Sequence, residues 1–280
     1  MSIERVRSWY WSLSKFESIV VMLIISISLL LFFRLPEYKH FRGIYFNGTF
    51  QYALIAIVGA FLLYVVRPPT LSYFGFPRLK GSSLLAIVMA SGYAVLAITG
   101  GYNIQQPLRF KIAGVIYLLA IGFSEELIDR VLIFGSLRRF GTRFAVITSS
   151  VIFGLTHLNV YLPNWDLSEA IYHVLSATGF GLLACGIFLA TRNFWMVGIF
   201  HALADWTVVF EGKVSTSGDD YSPSIIESLR WGAESFFLEY GLMGLILLYV
   251  LRGKWPKWLI RLAIRWKLVE QADALARKNG

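Results

Sequence analysis

The chain has 280 residues, of which 56% are hydrophobic and 15% charged, with a mean hydropathy of +0.61. This composition excludes an ordinary water-soluble domain, in which charged residues make up about 25%. The formal net charge of +9 comes mostly from Lys and Arg beside the apolar segments, which indicates contact with lipid headgroups and not with nucleic acid. The one cysteine, Cys185, lies in an apolar segment, so the sequence has neither a disulfide framework nor a cysteine-based metal site.

Apolar segments of membrane-spanning length follow one another along the chain. Eight of them lie near residues 18–34, 50–66, 83–99, 112–137, 144–160, 170–191, 194–210 and 234–251. No small-residue cleavage site follows the first segment, so we expect it to be retained. The pattern predicts an all-α polytopic membrane protein with about eight transmembrane helices, in which residues 1–251 form a single domain.

Lys and Arg fall unevenly on the two sides of this predicted bundle. Most of the 26 lie at the N-terminus, in the loops after the second, fourth and sixth segments, and in the C-terminal tail. The positive-inside rule therefore predicts that both termini are cytoplasmic. The short loops and the lack of an organelle-retention signal favour a prokaryotic cell membrane.

The tail, residues 252–280, is predicted to lie on the cytoplasmic side. Within it, residues 254–268 gather Trp and Leu on one helical face and Lys and Arg on another. This pattern is typical of an amphipathic helix in the headgroup layer. A helix packed against the base of the bundle is the alternative.

The fourth segment carries charge where a membrane helix should have none. Glu125, Glu126, Asp129 and Arg130 interrupt an apolar stretch, and each unpaired charge there costs about 3 kcal/mol. Glu126 and Arg130 are four residues apart with the acid first, the favourable order for an ion pair. Glu125 has no such partner in its helix and is the first candidate for chemistry. Asp129 either lines a cavity or pairs with a neighbouring helix.

Two other segments carry polar pairs with helical spacing. Phe153 and His157 are four residues apart, as are His201 and Asp205, so each pair shares a helix face. A rise of about 1.5 Å per residue from the cytoplasmic basic residues places Glu125, His157 and Asp205 about 20 Å deep and His201 at about 14 Å. Three helices thus meet at one depth, which predicts an intramembrane polar cavity. We expect this cavity to open towards the basic cytoplasmic rim.

The three segments together resemble a known set of motifs. E-E-x-x-x-R, F-x-x-x-H and H-x-x-x-N/D, in this order, form the pattern of the CAAX-protease and bacteriocin-processing (CPBP, or Abi) intramembrane endopeptidases. These include the type II CAAX prenyl endopeptidases, or Ras-converting enzymes. The resemblance covers roughly residues 110–210, the motif-bearing core, with every motif complete. Position 205 is Asp here, whereas the prenyl-processing members have Asn.

The resemblance implies a peptide hydrolase that acts on a membrane-associated protein or peptide, lipidated or not. Glu125 and His157 would hold and activate a water molecule, with Glu125 as general base. His201 and the side chain at position 205 would stabilise the tetrahedral intermediate. An ionised Asp205 only accepts hydrogen bonds, so orienting or charging His201 is its simpler role.

Three further motif residues would support this site. Arg130 would form an ion pair with Glu126. This pair would orient one face of the helix towards the protein interior and would reduce the cost of burying the Glu126 carboxylate. Phe153 would pack beside the site, although an ordinary core position explains it as well. His173 and His40 lie outside the motifs, and we expect a surface or interfacial position for both.

A metal-dependent alternative uses some of the same residues. Glu125, His157 and His201 make the two-His, one-carboxylate set that holds zinc in many hydrolases. The sequence has no H-E-x-x-H zinc-protease motif. We therefore expect the metal-free glutamate mechanism and no cofactor, with zinc as the alternative.

Two other classes of function stay open. Intramembrane acids and histidines also mark ion pathways in transporters, although here they cluster on three segments and do not spread along several. A non-catalytic immunity or scaffold protein would keep the fold and lose the reaction. The presence of every motif residue disfavours that loss.

Overall fold

The computed structural model describes residues 2–33, 44–75, 107–158, 166–206 and 224–250, with short pieces within 86–95 and single residues at 210, 261 and 265. All regular structure in these ranges is helical. The predicted third span and the amphipathic tail lie largely outside the described residues.

The described helices overlap seven of the eight predicted segments. They are α1 (Ile3–Ser12), α2 (Lys15–Phe33), α3 (Ile44–Val66), α4 (Leu108–Glu126), π1 (Leu127–Phe134), α5 (Gly135–Leu137), α6 (Thr142–Thr156), α7 (Leu167–Thr191), α8 (Phe194–Ala204), α9 (Ile225–Glu234), π2 (Ser235–Gly241) and α10 (Leu242–Val250). The elements α4, π1 and α5 form one continuous helix, as do α9, π2 and α10.

Three described helices are long and apolar enough to cross a bilayer. They cover Gly48–Val66, Leu167–Thr191 and Ile225–Leu248. The chain is therefore a helical membrane protein, and the number of eight spans stays a prediction.

Polar side chains fix where several of these helices begin. Asp166 and Asn193 each accept a hydrogen bond from a backbone N–H in the first turn of α7 and α8. Ser224 and Glu227 form a reciprocal capping box at the start of α9. Such caps satisfy backbone donors that a helix leaves without partners, so the local sequence sets the starts of three site-bearing or supporting helices.

One end of the bundle is rich in Arg and Lys. Here α1 lies against the end of α3, where Arg7 Nε donates to the Val65 carbonyl at 2.7 Å. Arg139, which follows α5, donates to the Ser18 hydroxyl of α2 at 2.6 Å. We call this the basic end, and its described members are Arg7, Lys15, Arg67, Arg138, Arg139, Arg143 and Arg192.

An apolar layer fills the bundle next to the basic end. It comes from π1, α5 and α7, and its side chains pack without measurable exposure. Its members are Val131, Leu132, Ile133, Phe134, Leu137 and Phe188, each 0% exposed. Close packing of this kind leaves few voids larger than a water molecule. The layer therefore closes the bundle on this side.

Glycine lets α4 and α8 approach closely. A Cβ atom on Gly122 would lie 2.5 Å from the Gly198 carbonyl oxygen and 2.7 Å from the Ala202 nitrogen. Small residues at such crossings let membrane helices pack backbone to backbone. Since Gly122 lies one turn before Glu126, and Ala202 follows His201, this contact brings the two motif helices together.

Replacing Gly122 with Ala should separate these helices. Overpacking of this kind costs about 1–3 kcal/mol, so thermal unfolding in detergent should begin at a lower temperature. Gly75→Ala is the matched control, because its nearest atom, the Ser72 oxygen, would be 3.8 Å from the new Cβ. Equal melting temperatures for the two variants would contradict the close approach.

Candidate active site

A cavity of about 440 Å³ lies where α2, α3, α4, α6, α7, α8 and π2 meet. Its volume falls within the range of about 300–1,000 Å³ that is usual for ligand pockets. Glu125, His157, His201 and Asp205, the four residues predicted to be catalytic, all line it. Residues from three separate helices thus share one space inside the bundle.

The predicted ion pair within α4 and π1 is present and fully buried. Arg130 Nε lies 3.1 Å from Glu126 Oε2, and both side chains are 0% exposed. The Arg130 guanidinium also lies 5.0 Å from the centroid of the Phe153 ring, a cation–π distance. Glu126 therefore faces the protein core, whereas its neighbour Glu125 faces the cavity.

Glu126 also holds His201, a contact that the sequence does not reveal. The second carboxylate oxygen of Glu126 lies 2.8 Å from His201 Nδ1. Because a carboxylate accepts, Nδ1 carries the proton and donates it. The other ring nitrogen, Nε2, lies 3.7 Å from Glu125 and 3.5 Å from Asp205. A chain of polar contacts thus runs from Arg130 through Glu126 to His201.

His157 has its tautomer set by the backbone. Its Nδ1 lies 2.9 Å from the Phe153 carbonyl oxygen, which can only accept, so Nδ1 must donate. In the neutral ring, Nε2 is then an acceptor. Phe153 packs on both histidines, with ring centroids 4.7 Å from His157 and 5.8 Å from His201, and it also belongs to the buried apolar core.

Tyr52 contacts the site from outside the motif segment. Its side chain lines the same cavity as Glu125, with the hydroxyl within hydrogen-bonding reach of the carboxylate. The sequence gives no signal for this contact, because Tyr52 lies in α3 and belongs to none of the three motifs. A hydrogen bond between the two groups would fix one side of the carboxylate that faces the cavity.

Two residues left open by the sequence also line the cavity. Asp129 does so at 6% exposure, which agrees with the first of its two alternatives. His173 lines it as well, in a half-buried position near the start of α7, although the sequence did not assign it to the site. His173 was missed because it belongs to no motif and only the packing of α7 turns it inward. His40 lies outside the described residues.

The exposure of the cavity lining changes along the helices. On each of α3, α6, α7 and α8, lining residues nearer the basic end are buried and those farther away are half-buried. The buried members are Ile55, Phe153, Ala177, Phe180 and His201, and the half-buried members are Gln51, Tyr52, Thr156, His157, His173, Ser176, Ala204 and Asp205. On α4 the order is reversed, since Glu125 is half-buried and Ile121, farther from the basic end, is buried. The direction in which the cavity opens stays a prediction.

The candidate zinc ligands share the cavity without forming a recognisable metal site. Within the described ranges, no group of three or more His, Cys, Asp or Glu side chains is arranged to hold a metal ion.

Removing one member of the buried Glu126–Arg130 pair should lower the free energy of unfolding more than removing one member of an exposed pair. Arg130→Gln leaves Glu126 without its cation, and breaking a buried pair in this way costs about 3–5 kcal/mol. The double variant Glu126→Gln, Arg130→Gln should lose less stability than Arg130→Gln alone, as measured by unfolding in mixed micelles. The exposed pair Arg230–Glu234, at 2.9 Å and the same spacing, is the control, and Arg230→Gln should cost at most about 1 kcal/mol. Equal losses for Arg130→Gln and Arg230→Gln would contradict the buried pair.

Comparison with known proteins identifies the family of the site-bearing segment. Residues 107–207 match the family model described as Type II CAAX prenyl endopeptidase Rce1-like. The matched residues include all three motifs, from Glu125 to Asp205. No curated protein sequence matches the chain. The resemblance predicted from the motifs is thus confirmed: residues 107–207 are similar to the Rce1-like type II CAAX prenyl endopeptidases.

Proposed function

We propose that this protein is an intramembrane endopeptidase that hydrolyses a peptide bond of a membrane-associated protein or peptide. One observation carries the proposal: Glu125, His157, His201 and Asp205 come from three helices and line one cavity in a segment that matches a protease family. Peptide hydrolysis requires a base for water, a proton donor for the leaving amine and a donor for the oxyanion. These side chains can supply all three.

Glu125 is the proposed general base. Its side chain is 22% exposed, so water in the cavity can reach it. One hydrogen of the water would be directed to Glu125 and the other to Nε2 of His157, which would turn an oxygen lone pair towards the scissile carbonyl carbon. Glu125 would take the first proton as the carbon–oxygen bond forms. It would then return this proton to the amine as the carbon–nitrogen bond breaks.

His201 is the proposed oxyanion donor. Its hydrogen bond to Glu126 fixes the ring, and a proton on Nε2 would supply a donor on the cavity side. Asp205 lies 3.5 Å from this nitrogen. Because an ionised carboxylate only accepts hydrogen bonds, Asp205 would orient the ring and would not bind the oxyanion itself.

The proposed setting is a prokaryotic cell membrane, with several helices crossing it and both termini in the cytoplasm. The charge asymmetry of the sequence supports this orientation. A transporter is less well supported, because a permeation path would have to cross the apolar layer of Val131, Leu132 and Phe134, which are 0% exposed.

Glu125→Gln should abolish cleavage, since the amide cannot accept the proton. Loss of a general base lowers the rate by roughly 10²–10⁴-fold. The measurement compares N-terminal and C-terminal peptidomes of cells that carry the wild-type or the variant protein. Glu169→Gln, on an exposed turn of α7, is the matched control and should leave the peptidomes unchanged. Identical peptidomes and phenotypes for wild type and Glu125→Gln would instead favour a non-catalytic scaffold or immunity protein.

Tyr52→Phe should weaken the base without removing it. The variant loses a hydrogen bond to a charged group, worth about 1.5–3 kcal/mol, so kcat should fall by roughly 10-fold or more while KM changes little. Tyr64→Phe on the same helix, at 55% exposure, is the control. A wild-type kcat for Tyr52→Phe would contradict a role for the Tyr52 hydroxyl in positioning Glu125.

The proposed mechanism uses no metal ion. Activity of the purified protein should therefore survive prolonged incubation with a strong chelator. Loss of activity on chelation, with recovery on adding zinc, would replace this mechanism by one in which Glu125, His157 and His201 hold the ion.

A further inference from the structure

We propose that the cavity contains an acidic subsite, centred on Asp129, which binds a Lys or Arg side chain of the substrate. The substrate class is then a membrane-associated polypeptide with a basic residue close to the scissile bond. That this polypeptide is cleaved rests on the proposed function, whereas the preference for a basic residue rests on the lining of the cavity.

Asp129 lines the cavity without a basic partner in the described part of the chain. The residue is 6% exposed, and its Oδ1 is buried without a hydrogen-bond partner. Arg130, the next residue, directs its Nε to Glu126 at 3.1 Å, and none of the ion pairs between described residues includes Asp129. Burying an isolated carboxylate is costly, so a cation that reaches this group would be strongly stabilised by it.

The described lining of the cavity is acidic as a whole. It carries the carboxyl groups of Glu125, Asp129 and Asp205, and neither Lys nor Arg is among the described lining residues. The Nε2 atom of His201 lies between two of these groups, at 3.7 Å from Glu125 and 3.5 Å from Asp205, which leaves Asp129. A cleft lined by charge of one sign attracts ligands of the opposite sign, so a cationic group fits this space.

Apolar side chains in the same cavity suit the stem of a basic residue. Leu29, Ile55 and Ile128 line it and are 9%, 8% and 5% exposed, and Ile128 directly precedes Asp129. Lys and Arg bury their methylene stems on apolar surface and keep the charge at the tip. A small inorganic cation would leave this apolar surface unused and prefers several oxygen ligands, so a basic side chain is the better match.

The spacing along the helix relates the subsite to the bond that is cleaved. Asp129 follows Glu125 by four residues, a rise of about 6 Å along the helix axis. An extended peptide advances about 3.3 Å per residue. A basic side chain bound at Asp129 therefore belongs to a residue within about two positions of the bond that faces Glu125. Asp129 is thus a specificity-determining residue, which selects the peptide bond that reaches the base.

Peptide binding to an inactive variant tests the inference. The probes are two libraries of fluorescent decapeptides, with neutral residues around a central Lys or a central norleucine, which keeps the four-carbon stem and lacks the charge. Binding is measured on the Glu125→Gln protein in nanodiscs of zwitterionic lipid, so that neither cleavage nor headgroup charge contributes. Asp129→Asn is then added to this protein, with Glu169→Gln on the exposed turn of α7 as the matched control.

We expect the Lys library to bind about 10-fold more tightly than the norleucine library, or better, because an ion pair with Asp129 adds a hydrogen bond between charged groups. Asp129→Asn should lower the affinity for the Lys library to that for the norleucine library. The affinity for the norleucine library should change little, which shows that the variant is folded. Glu169→Gln should change neither affinity.

Equal affinities for the two libraries in the Glu125→Gln protein would overturn the inference. A preference for Lys that survives Asp129→Asn would overturn it as well, as would the loss of binding of both libraries in that variant, which indicates a structural role. Because binding requires no hydrolysis, these failures are distinct from that of the protease assignment, which the Glu125→Gln peptidomes decide.

Discussion

A buried arginine in an apolar bundle needs a partner, and the site is organised around that need. Arg130 is fully buried and pairs with Glu126, whose second oxygen holds His201 at 2.8 Å. Because removing one member would leave an uncompensated charge inside the protein, the three side chains depend on one another. They link α4 and π1 to α8, and the close contact at Gly122 makes this reach possible. The orientation of the His201 ring follows from these contacts.

Two adjacent glutamates take different positions because neighbouring helix residues point about 100° apart. Glu126 faces Arg130 in the core, where its charge is matched. Glu125 faces the cavity, where the Tyr52 hydroxyl lies within hydrogen-bonding reach and water can reach it. The same helix thus carries one carboxylate that holds the structure together and one that is free to exchange a proton. The π-helical turns of π1 begin directly after this pair, in line with the frequent occurrence of such turns at functional sites.

Sequence reasoning identified the helices and the motif residues because charge in an apolar segment is costly and therefore informative. The i,i+4 spacing also predicted the pair of Glu126 with Arg130. It could not predict that Glu126 would hold His201, that Tyr52 would contact Glu125, or that His173 would turn inward. These contacts depend on how separate helices rotate and pack against one another. The spacing of residues within one helix does not determine that packing.

The central claim is that Glu125 and His157 hold one water molecule for attack on a peptide bond. The most direct test is an experimental density map of the protein in lipid nanodiscs, at a resolution that shows ordered water. The account predicts a water oxygen within about 3 Å of both the Glu125 carboxylate and His157 Nε2. A lipid chain or a packed side chain between these two groups would contradict it, as would a metal ion bound by Glu125, His157 and His201.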